Sequence, residues 1–435
     1  MIIIDTALKK RQQDGKPIRV AMAGAGFMGR GIALQTIRAM PGMRLVAISS
    51  RSIDQAERAY AEAGVDAVRH VESVTALEDA ITRGQYAVTD DPALLCQAGP
   101  VEAVIDTTGD AEFGARVALE AIQHGKHIIL MNAEVDSTVG PILKVHADRA
   151  GVVYTYTDGD EPGVAMNLFR FVDSIGYQPV LMGQIKGFLN RYRNPETQKA
   201  FAEETKQKPE MVASFADGSK LAIESTIIGN ATGFVPGKRG MYGYECAHVK
   251  DLLKHFSPDD FKSGGLVDFV LGAEPHTGAF VMGYNDHPVL RQYMSYFKMG
   301  DGPLYMFYTP YHLPHLQLPH TVARAVLFKD PTLAPLGAPI CDTISVAKRD
   351  LKAGETLDGM GGFTCYGLID SYAVCQRENH LPIPLSLGCR LKREIAKDQP
   401  IGYADVDLPQ GRLCDKLRAE QGSHFGALTR TVSTV

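Results

Sequence analysis

Residues 18–34 constrain the fold more tightly than any other stretch of the chain. Ile18-Arg19-Val20-Ala21-Met22-Ala23 reads as a short buried strand, Gly24, Gly26 and Gly29 follow at once as a GxGxxG, and Gly31-Ile32-Ala33-Leu34 opens a helix. Dinucleotide binding needs this order. The first glycine permits a tight turn, the second lets backbone N–H groups approach a pyrophosphate, and the third lets helix and strand pack closely. The helix N-terminus adds free donors and partial positive charge. With 43 glycines among 435 residues the triplet alone would say little. Its place between a strand and a helix carries the weight, against the alternative of a turn that merely packs a βα unit. Gly24, Gly26, Phe27, Met28 and Gly29 are the expected cofactor-binding residues.

Strand and helix then alternate. Strands are expected at Met43–Ile48, Val101–Asp106, His127–Met131 and Val152–Tyr156, with helices over 5–14, 31–40, 54–63, 73–83 and 111–124. This predicts an α/β fold with a Rossmann-type, doubly wound parallel sheet. An NAD site would place Asp or Glu at the tip of the second strand for the ribose 2′-OH. Here Ser49-Ser50-Arg51-Ser52 stands instead. Hydroxyls and a guanidinium suit a 2′-phosphate, so Ser50 and Arg51 predict NADP(H) over NAD(H); the alternative for Arg51 is a solvated loop residue. Thr107, Thr108 and Gly109 end the next strand where such folds pass beneath the nicotinamide. Asn132 and Glu134 follow another, at the carboxyl edge where open α/β sheets present reactive groups.

Beyond residue 160 the pattern changes. A helix over 166–175, a strand over 180–188, a charged helical stretch over 194–211 and a strand-rich segment over 219–228 predict a mixed α+β substrate domain. A helix over 321–327 closes it. Prolines between Pro331 and Pro339 mark a linker, and short β pieces follow. The expected domains are 1–160 (nucleotide-binding), 161–330 (substrate and oligomerisation), 338–410 (small β) and a 411–435 tail, helical over 411–420 and loose thereafter. A net charge of −5 gives no reason to expect nucleic acid or an anionic membrane as partner. No apolar run approaches a membrane span, and the N-terminus lacks the basic leader and apolar core of a signal peptide. Seven scattered cysteines show no CxxC pair. That argues against a disulfide framework or structural zinc and points to a cytoplasmic protein.

Hydride transfer to a carbonyl needs a proton donor or positive charge at the developing alkoxide. Lys186, interrupting an apolar strand, is the first candidate; burial there would lower its pKa and let it act as an acid. Asp158, Asp160 and Glu161 make a dense acidic turn. It could take a divalent metal (Mn or Mg), accept hydrogen bonds from substrate hydroxyls, or simply cap the next helix through Asp160. Glu134 could reach the same cleft. Asn190, Arg191 and Arg193, with Lys238 and Arg239, are candidates for a substrate phosphate or carboxylate. Among the histidines, His312 stands in an aromatic cluster and is the one expected at substrate.

Several of these segments resemble a known family. Gly24–Gly29, Val104–Gly109, Gly125–Ile128 and Asn132–Asp136 look like the nucleotide half of homoserine-dehydrogenase-like oxidoreductases. Val346–Leu357, Gly361-Gly362 and Leu381–Leu385 are similar to a SAF domain, a small β-clip module. Joined in one chain, with Gly159-Asp160-Glu161-Pro162, Asn230–Gly233, Tyr311–Leu313 and Thr321–Arg324, they resemble the deoxyxylulose phosphate reductoisomerase-like (DRL) oxidoreductases. Homoserine dehydrogenases place a lysine after the asparagine where this chain has Ala133, so homoserine is not the implied substrate. The resemblance implies an NADP(H)-dependent oxidoreductase acting on a small polyhydroxylated carbonyl compound or alcohol, phosphorylated forms included. A metal-assisted reductoisomerase and a non-catalytic nucleotide sensor are the alternatives. A homodimer or higher homo-oligomer is expected.

Overall fold

The structure, a computed structural model, describes residues 3–432. The chain folds as two compact units. The first takes in the chain up to Gly159, Leu313–Ala334 and the segment from Arg412 on; the second comprises Asp160–His312 and Pro335–Gly411.

The first unit begins with α1 (Ile4–Gln13), β1 (Ile18–Ala23), α2 (Phe27–Ala39), β2 (Met43–Ser49) and α3 (Ile53–Glu62). It continues with β3 (Val68–His70), α4 (Val74–Thr82), β4 (Tyr86–Thr89), α5 (Pro92–Gln97) and β5 (Ala103–Asp106), then α6 (Ala111–Gln123), β6 (His127–Leu130), α7 (Ala133–Ala150) and β7 (Tyr154–Tyr156). The seven strands form one parallel sheet in the order β3-β4-β2-β1-β5-β6-β7. This is the Rossmann-type α/β fold. Strands covered by helices on both faces are apolar throughout, and Val20 to Ala23 are all buried. The order reverses at β1, between β2 and β5, and the glycine turn leaves β1 at that switch point. Short polar side chains start the helices: Asp91 caps α5, Asp110 caps α6 and Asn132 caps α7.

The second unit opens with α8 (Glu161–Ser174), β8 (Gln178–Lys186), α9 (Lys199–Thr205), α10 (Pro209–Ala216) and α11 (Ser219–Thr232). Then come β9 (Val235–Pro236), β10 (Tyr244–Glu245), β11 (Leu266–Leu271), β12 (Ala279–Tyr284), α12 (Pro288–Tyr296) and β13 (Leu304–Thr309). The mixed sheet runs β10-β11-β8-β12-β13, with β9 beside β11. Helix α13 (Pro314–Ala323) returns to the first unit. Residues 335–411 contribute the antiparallel pair β14 (Cys341–Ala347) and β15 (Cys365–Ser371), α14 (Tyr372–Arg377), and the short pair β16 (Arg390–Leu391) and β17 (Val406–Asp407). Helix α15 (Leu413–Val432) closes the chain.

Several expectations are corrected. The segment 219–228 is helical, not strand-rich. Every residue of α11 but the last is buried, so no polar face gave it a helical period. The stretch 194–211 divides, because Pro209 starts a new helix, α10. The helix placed over 321–327 starts earlier, at Pro314, and Arg324–Phe328 form a wider π turn. The expected linker is not loose at its start: Leu333 O accepts from Tyr156 N at 2.8 Å, and Thr332 N donates to Thr155 Oγ1 at 2.9 Å. The tail expected to be loose after residue 420 continues as α15, docked through Leu413 N and Cys414 N on the Glu112 carboxylate.

Candidate functional site

In the first unit, Gly24 has φ +105°, and a Cβ there would lie 2.5 Å from Thr107 Oγ1. A Cβ on Gly29 would lie 2.7 Å from Gly24 O. Neither position admits a side chain. Gly26 differs: a Cβ there would meet no protein atom within 4 Å. The N-cap of α2 therefore faces open space, with the unpaired N–H groups of its first turn beside it. Phe27 is exposed, and Met28 partly so. This cradle fits a pyrophosphate. Gly24 N donates to Ser49 O at 2.8 Å, which ties the turn to the end of β2. Ser50 follows, its Oγ accepting from Ser52 N at 3.3 Å, and Arg51 is exposed.

Thr107 hangs on Ala23 O through its N–H (2.9 Å) and hydroxyl (3.1 Å). Thr108 donates to Asp106 Oδ1 through its N–H (2.9 Å) and hydroxyl (2.7 Å), and Gly109 turns with φ +65°. Asn132, expected at the cofactor, is fully buried and committed elsewhere. Its Nδ2 reaches Asp106 Oδ2 (2.9 Å), Thr108 Oγ1 (3.1 Å) and Asp110 O (3.0 Å), and its Oδ1 accepts from Val135 N (3.3 Å). It is a scaffold residue. Burial lifts the Asp106 carboxyl to about 6, against the hydrogen bonds from Thr108 and Asn132. Asp136, buried with Tyr154 Oη donating to it at 2.7 Å, is lifted by burial to about 7. Glu134 is buried in the first turn of α7. Asp158 also lies in this unit: its N–H donates to Thr321 Oγ1 (2.7 Å), its Oδ1 accepts from Gly159 N (2.8 Å), and its Oδ2 stands 3.7 Å from Arg324.

In the second unit the sheet brings together Lys186, Glu161 and Glu224. Lys186 ends β8, and its Nζ donates to Glu161 Oε2 from the first turn of α8. Glu224 of α11 offers Oε2 3.8 Å from the same Nζ, buried and accepting no hydrogen bond. Glu161 Oε1 lies 3.9 Å from His312 Nδ1, which pairs with Thr277 Oγ1 at 3.0 Å. Asp160 takes the N-cap position of α8 but makes no capping hydrogen bond through its side chain. The Lys186 side chain remains 24% exposed, so a reactant can reach it.

The expected lowering of the Lys186 pKa is corrected. Burial pushes it down, but Glu161, Glu224 and Asp160 together outweigh burial and raise it. Lys186 stays an ammonium. Glu224 moves the other way: burial, with repulsion from Asp160 and Glu161, holds its pKa well above the usual carboxylate range despite Lys186 and Lys220. The arrangement is therefore a lysine ammonium held beside two acidic side chains, Glu161 and Glu224. It can hydrogen-bond a carbonyl oxygen, neutralise charge developing there and supply a proton.

The other candidates divide. Asn190 caps its own turn, accepting from Tyr192 N at 3.1 Å. The guanidinium of Arg191 lies 5.6 Å from the Tyr366 ring centroid, and that of Arg193 lies 5.4 Å from that of Phe188. Arg239 is spent on Asp370 (2.7 Å) and Glu378 (2.6 Å), so it does not serve as an anion ligand; Lys238 lies over Tyr242. Among the described residues, no three or more His, Cys, Asp or Glu side chains are grouped to hold a metal ion, so Asp158, Asp160 and Glu161 form no such set. Sequence reasoning missed Glu224 and Thr277. The available signal for Glu224 was an acid inside the apolar run 221–231, three residues before Ile227-Ile228. A recess of about 350 Å³, lined by His248, Glu274, Pro275, His276, Tyr308 and Pro310, adjoins the turn after β11, and Gly272 N in that turn donates to Lys186 O at 2.8 Å. No helix among the described residues is long and apolar enough to cross a membrane.

Residues 159–318 match the family described as "Oxidoreductase DRL, catalytic domain". No curated protein matches the chain. Among solved structures, it is similar to an NAD binding oxidoreductase from Klebsiella pneumoniae (18% identity, TM-score 0.30), over 41% of this chain and 45% of that one. It is similar to biliverdin reductase from Synechocystis sp. PCC 6803 (13%, TM-score 0.39), over 72% and 92%, and to an oxidoreductase from Thermotoga maritima (14%, TM-score 0.37), over 73% and 91%. The chain carries an oxidoreductase catalytic domain, and Lys186, Glu161, Glu224 and His312 all fall within the matched segment.

Proposed function

We propose that the chain is an NADP(H)-dependent oxidoreductase of a small polyhydroxylated carbonyl compound, phosphorylated forms included, or of the corresponding alcohol. One observation carries the reading. The Lys186 ammonium stands between the Glu161 carboxylate and the Glu224 carboxyl, partly accessible, inside the segment matched as an oxidoreductase catalytic domain. The nicotinamide cofactor would be held by the Gly24–Gly29 turn and the first turn of α2, and it supplies the hydride. Ser50 and exposed Arg51 favour a 2′-phosphate, since Ser50-Arg51-Ser52 rather than an acid stands at the tip of β2.

In the reducing direction, Lys186 donates a hydrogen bond to the substrate carbonyl oxygen. As the carbonyl carbon is reduced, the ammonium neutralises the alkoxide and passes it a proton, which leaves a neutral amine. The Glu224 carboxyl, 3.8 Å away, returns a proton to that amine. Glu161 fixes the lysine, and Glu161 and His312 offer hydrogen-bonding groups to substrate hydroxyls. Substrate polarity follows from this lining: charged and hydrogen-bonding groups suit hydroxyls and phosphate rather than a long apolar chain.

The test is a panel of aldose and ketose phosphates and their free sugars, followed by NADPH consumption with and without magnesium or manganese. Turnover of at least one hydroxylated carbonyl compound is expected, with NADPH preferred to NADH. A protein that binds NADPH but turns over no member of the panel would count against the reading.

A further inference from the structure

Residues 335–411 contribute no side chain to the Lys186 cluster, yet they grip both segments that carry it. Lys348, just after β14, is buried at 5% exposure. Its ammonium donates to Arg193 O (2.7 Å), Asp217 Oδ2 (2.9 Å) and Gly362 O (2.7 Å), one acceptor for each of its three protons. Arg193 lies in the loop that begins directly after Lys186 and runs to α9. Asp217 closes α10 two residues before α11, its Oδ1 accepting from Ser219 N at 2.8 Å, and α11 carries Glu224. The two segments also meet each other, through Asn190 N on Ala216 O at 2.8 Å. One buried lysine thus ties the loop that follows Lys186 to the turn that starts the helix carrying Glu224.

A second contact braces the same loop from outside. Asp398 accepts from Tyr192 Oη (2.9 Å) on the loop and from Tyr366 Oη (3.0 Å) on β15, and Lys397 Nζ lies 3.7 Å from the Tyr192 ring centroid. α11 is held to the same module by Gly367 N on Ser219 Oγ (2.8 Å) and by the Thr226–Thr343 hydroxyl pair (2.7 Å). We infer that Lys348 is a positioning residue that sets the Lys186–Glu224 geometry, with Asp398 as its outer brace. The inference rests on the proposed role of Lys186. Lys348 touches no reactant. A three-acceptor ammonium is directional and buried, so loss of it frees a carbonyl and a carboxylate at the hinge of both segments.

The experiment uses the full chain and the member of the sugar-phosphate panel that it reduces fastest. Lys348→Met is expected to keep NADPH affinity, lower kcat at least ten-fold with KM changed less than three-fold, and speed amide hydrogen exchange at residues 187–193 and 217–220. Asp398→Asn, on the surface, is expected to act in the same direction, with at least a three-fold loss in kcat and faster exchange at 190–193. A Lys348→Met protein that binds NADPH normally and keeps kcat within two-fold overturns the inference. If Lys348→Met does not fold, an Asp398→Asn protein with unchanged kcat overturns it. Lys186→Met in the same assay separates the two ideas: lost turnover there beside normal turnover in the Lys348 and Asp398 variants rejects only the positioning role, whereas normal turnover in Lys186→Met rejects the site itself.

Discussion

Two buried polar clusters, one in each unit, answer the same physical problem in opposite ways. In the first unit, Asp106 is met by Thr108 and Asn132, and Asn132 uses both ends of its amide on protein partners. In the second, Glu161 and Glu224 share a lysine, and one Glu224 oxygen accepts no hydrogen bond. A buried polar network that satisfies its members rigidifies the backbone around it. One that leaves an acid unmatched beside an accessible cation keeps free energy available for a ligand. The Asp106–Asn132 cluster accordingly reads as scaffold for the ends of β5 and β6. The Lys186 cluster reads as machinery, although both consist of a few carboxylates and their donors.

The comparison breaks most visibly at Lys186. Lys186→Arg keeps a cation but removes a usable proton, because guanidinium does not deprotonate in proteins. Turnover on the best panel substrate is expected to fall about 100-fold or more, in the range of a lost acid catalyst. NADPH affinity, measured by titration, is expected to remain within two-fold. Glu224→Gln asks whether the neighbouring acid gives up its proton. Glutamine mimics a neutral carboxyl in shape, so a protein that needs only that shape would turn over normally. A proton relay predicts a loss of at least ten-fold.

In the first unit the matching measurement is cofactor preference. Arg51→Asp is expected to narrow or reverse a preference for NADPH. The loss of one charged hydrogen bond to a phosphate is worth roughly 1.5–3 kcal/mol, about ten- to a hundred-fold in affinity. Equal binding of NADPH and NADH by the unaltered chain, read by fluorescence titration, would remove the argument from Ser50 and Arg51.

The two units were unequally legible in the sequence, for physical reasons. The parallel sheet announces itself, because strands buried on both faces are short apolar runs and the glycine turn has a fixed place between strand and helix. Between residues 68 and 97, β3, β4 and α5 escaped, being too brief for any period to develop. Helix α11 escaped for a different reason: a helix apolar on every side has no moment, and its Ile-rich run reads equally well as a strand. Glu224 was lost with it. Lys186 was legible as a charge in an apolar strand, yet the direction of its pKa was not. That direction depends on carboxylates 25 and 38 positions away in the chain, which only the fold brings to it. Asn132 is the opposite case: a polar residue at a strand end looks reactive in the sequence, and the partners that hold it are visible only in the fold.

The smallest effect concerns Asp136, another buried acid of the first unit. Burial raises its pKa to about 7 in the folded chain, from an ordinary value near 3.8. Between those values the unfolded chain has lost a proton that the folded chain retains. Stability therefore falls as pH rises from about 4 to about 7, and the penalty is fully present above that window. Three pKa units correspond to an upper figure on the order of 4 kcal/mol. Asp136→Asn removes the titration while keeping an oxygen that can accept from Tyr154 Oη, which donates to Asp136 Oδ1 at 2.7 Å. The variant is expected to gain several degrees in Tm over the parent at pH 8 and little or nothing at pH 4.5, with turnover within two-fold at both. A parent and variant whose Tm values differ by the same amount at the two pH values would show that Asp136 does not titrate on folding.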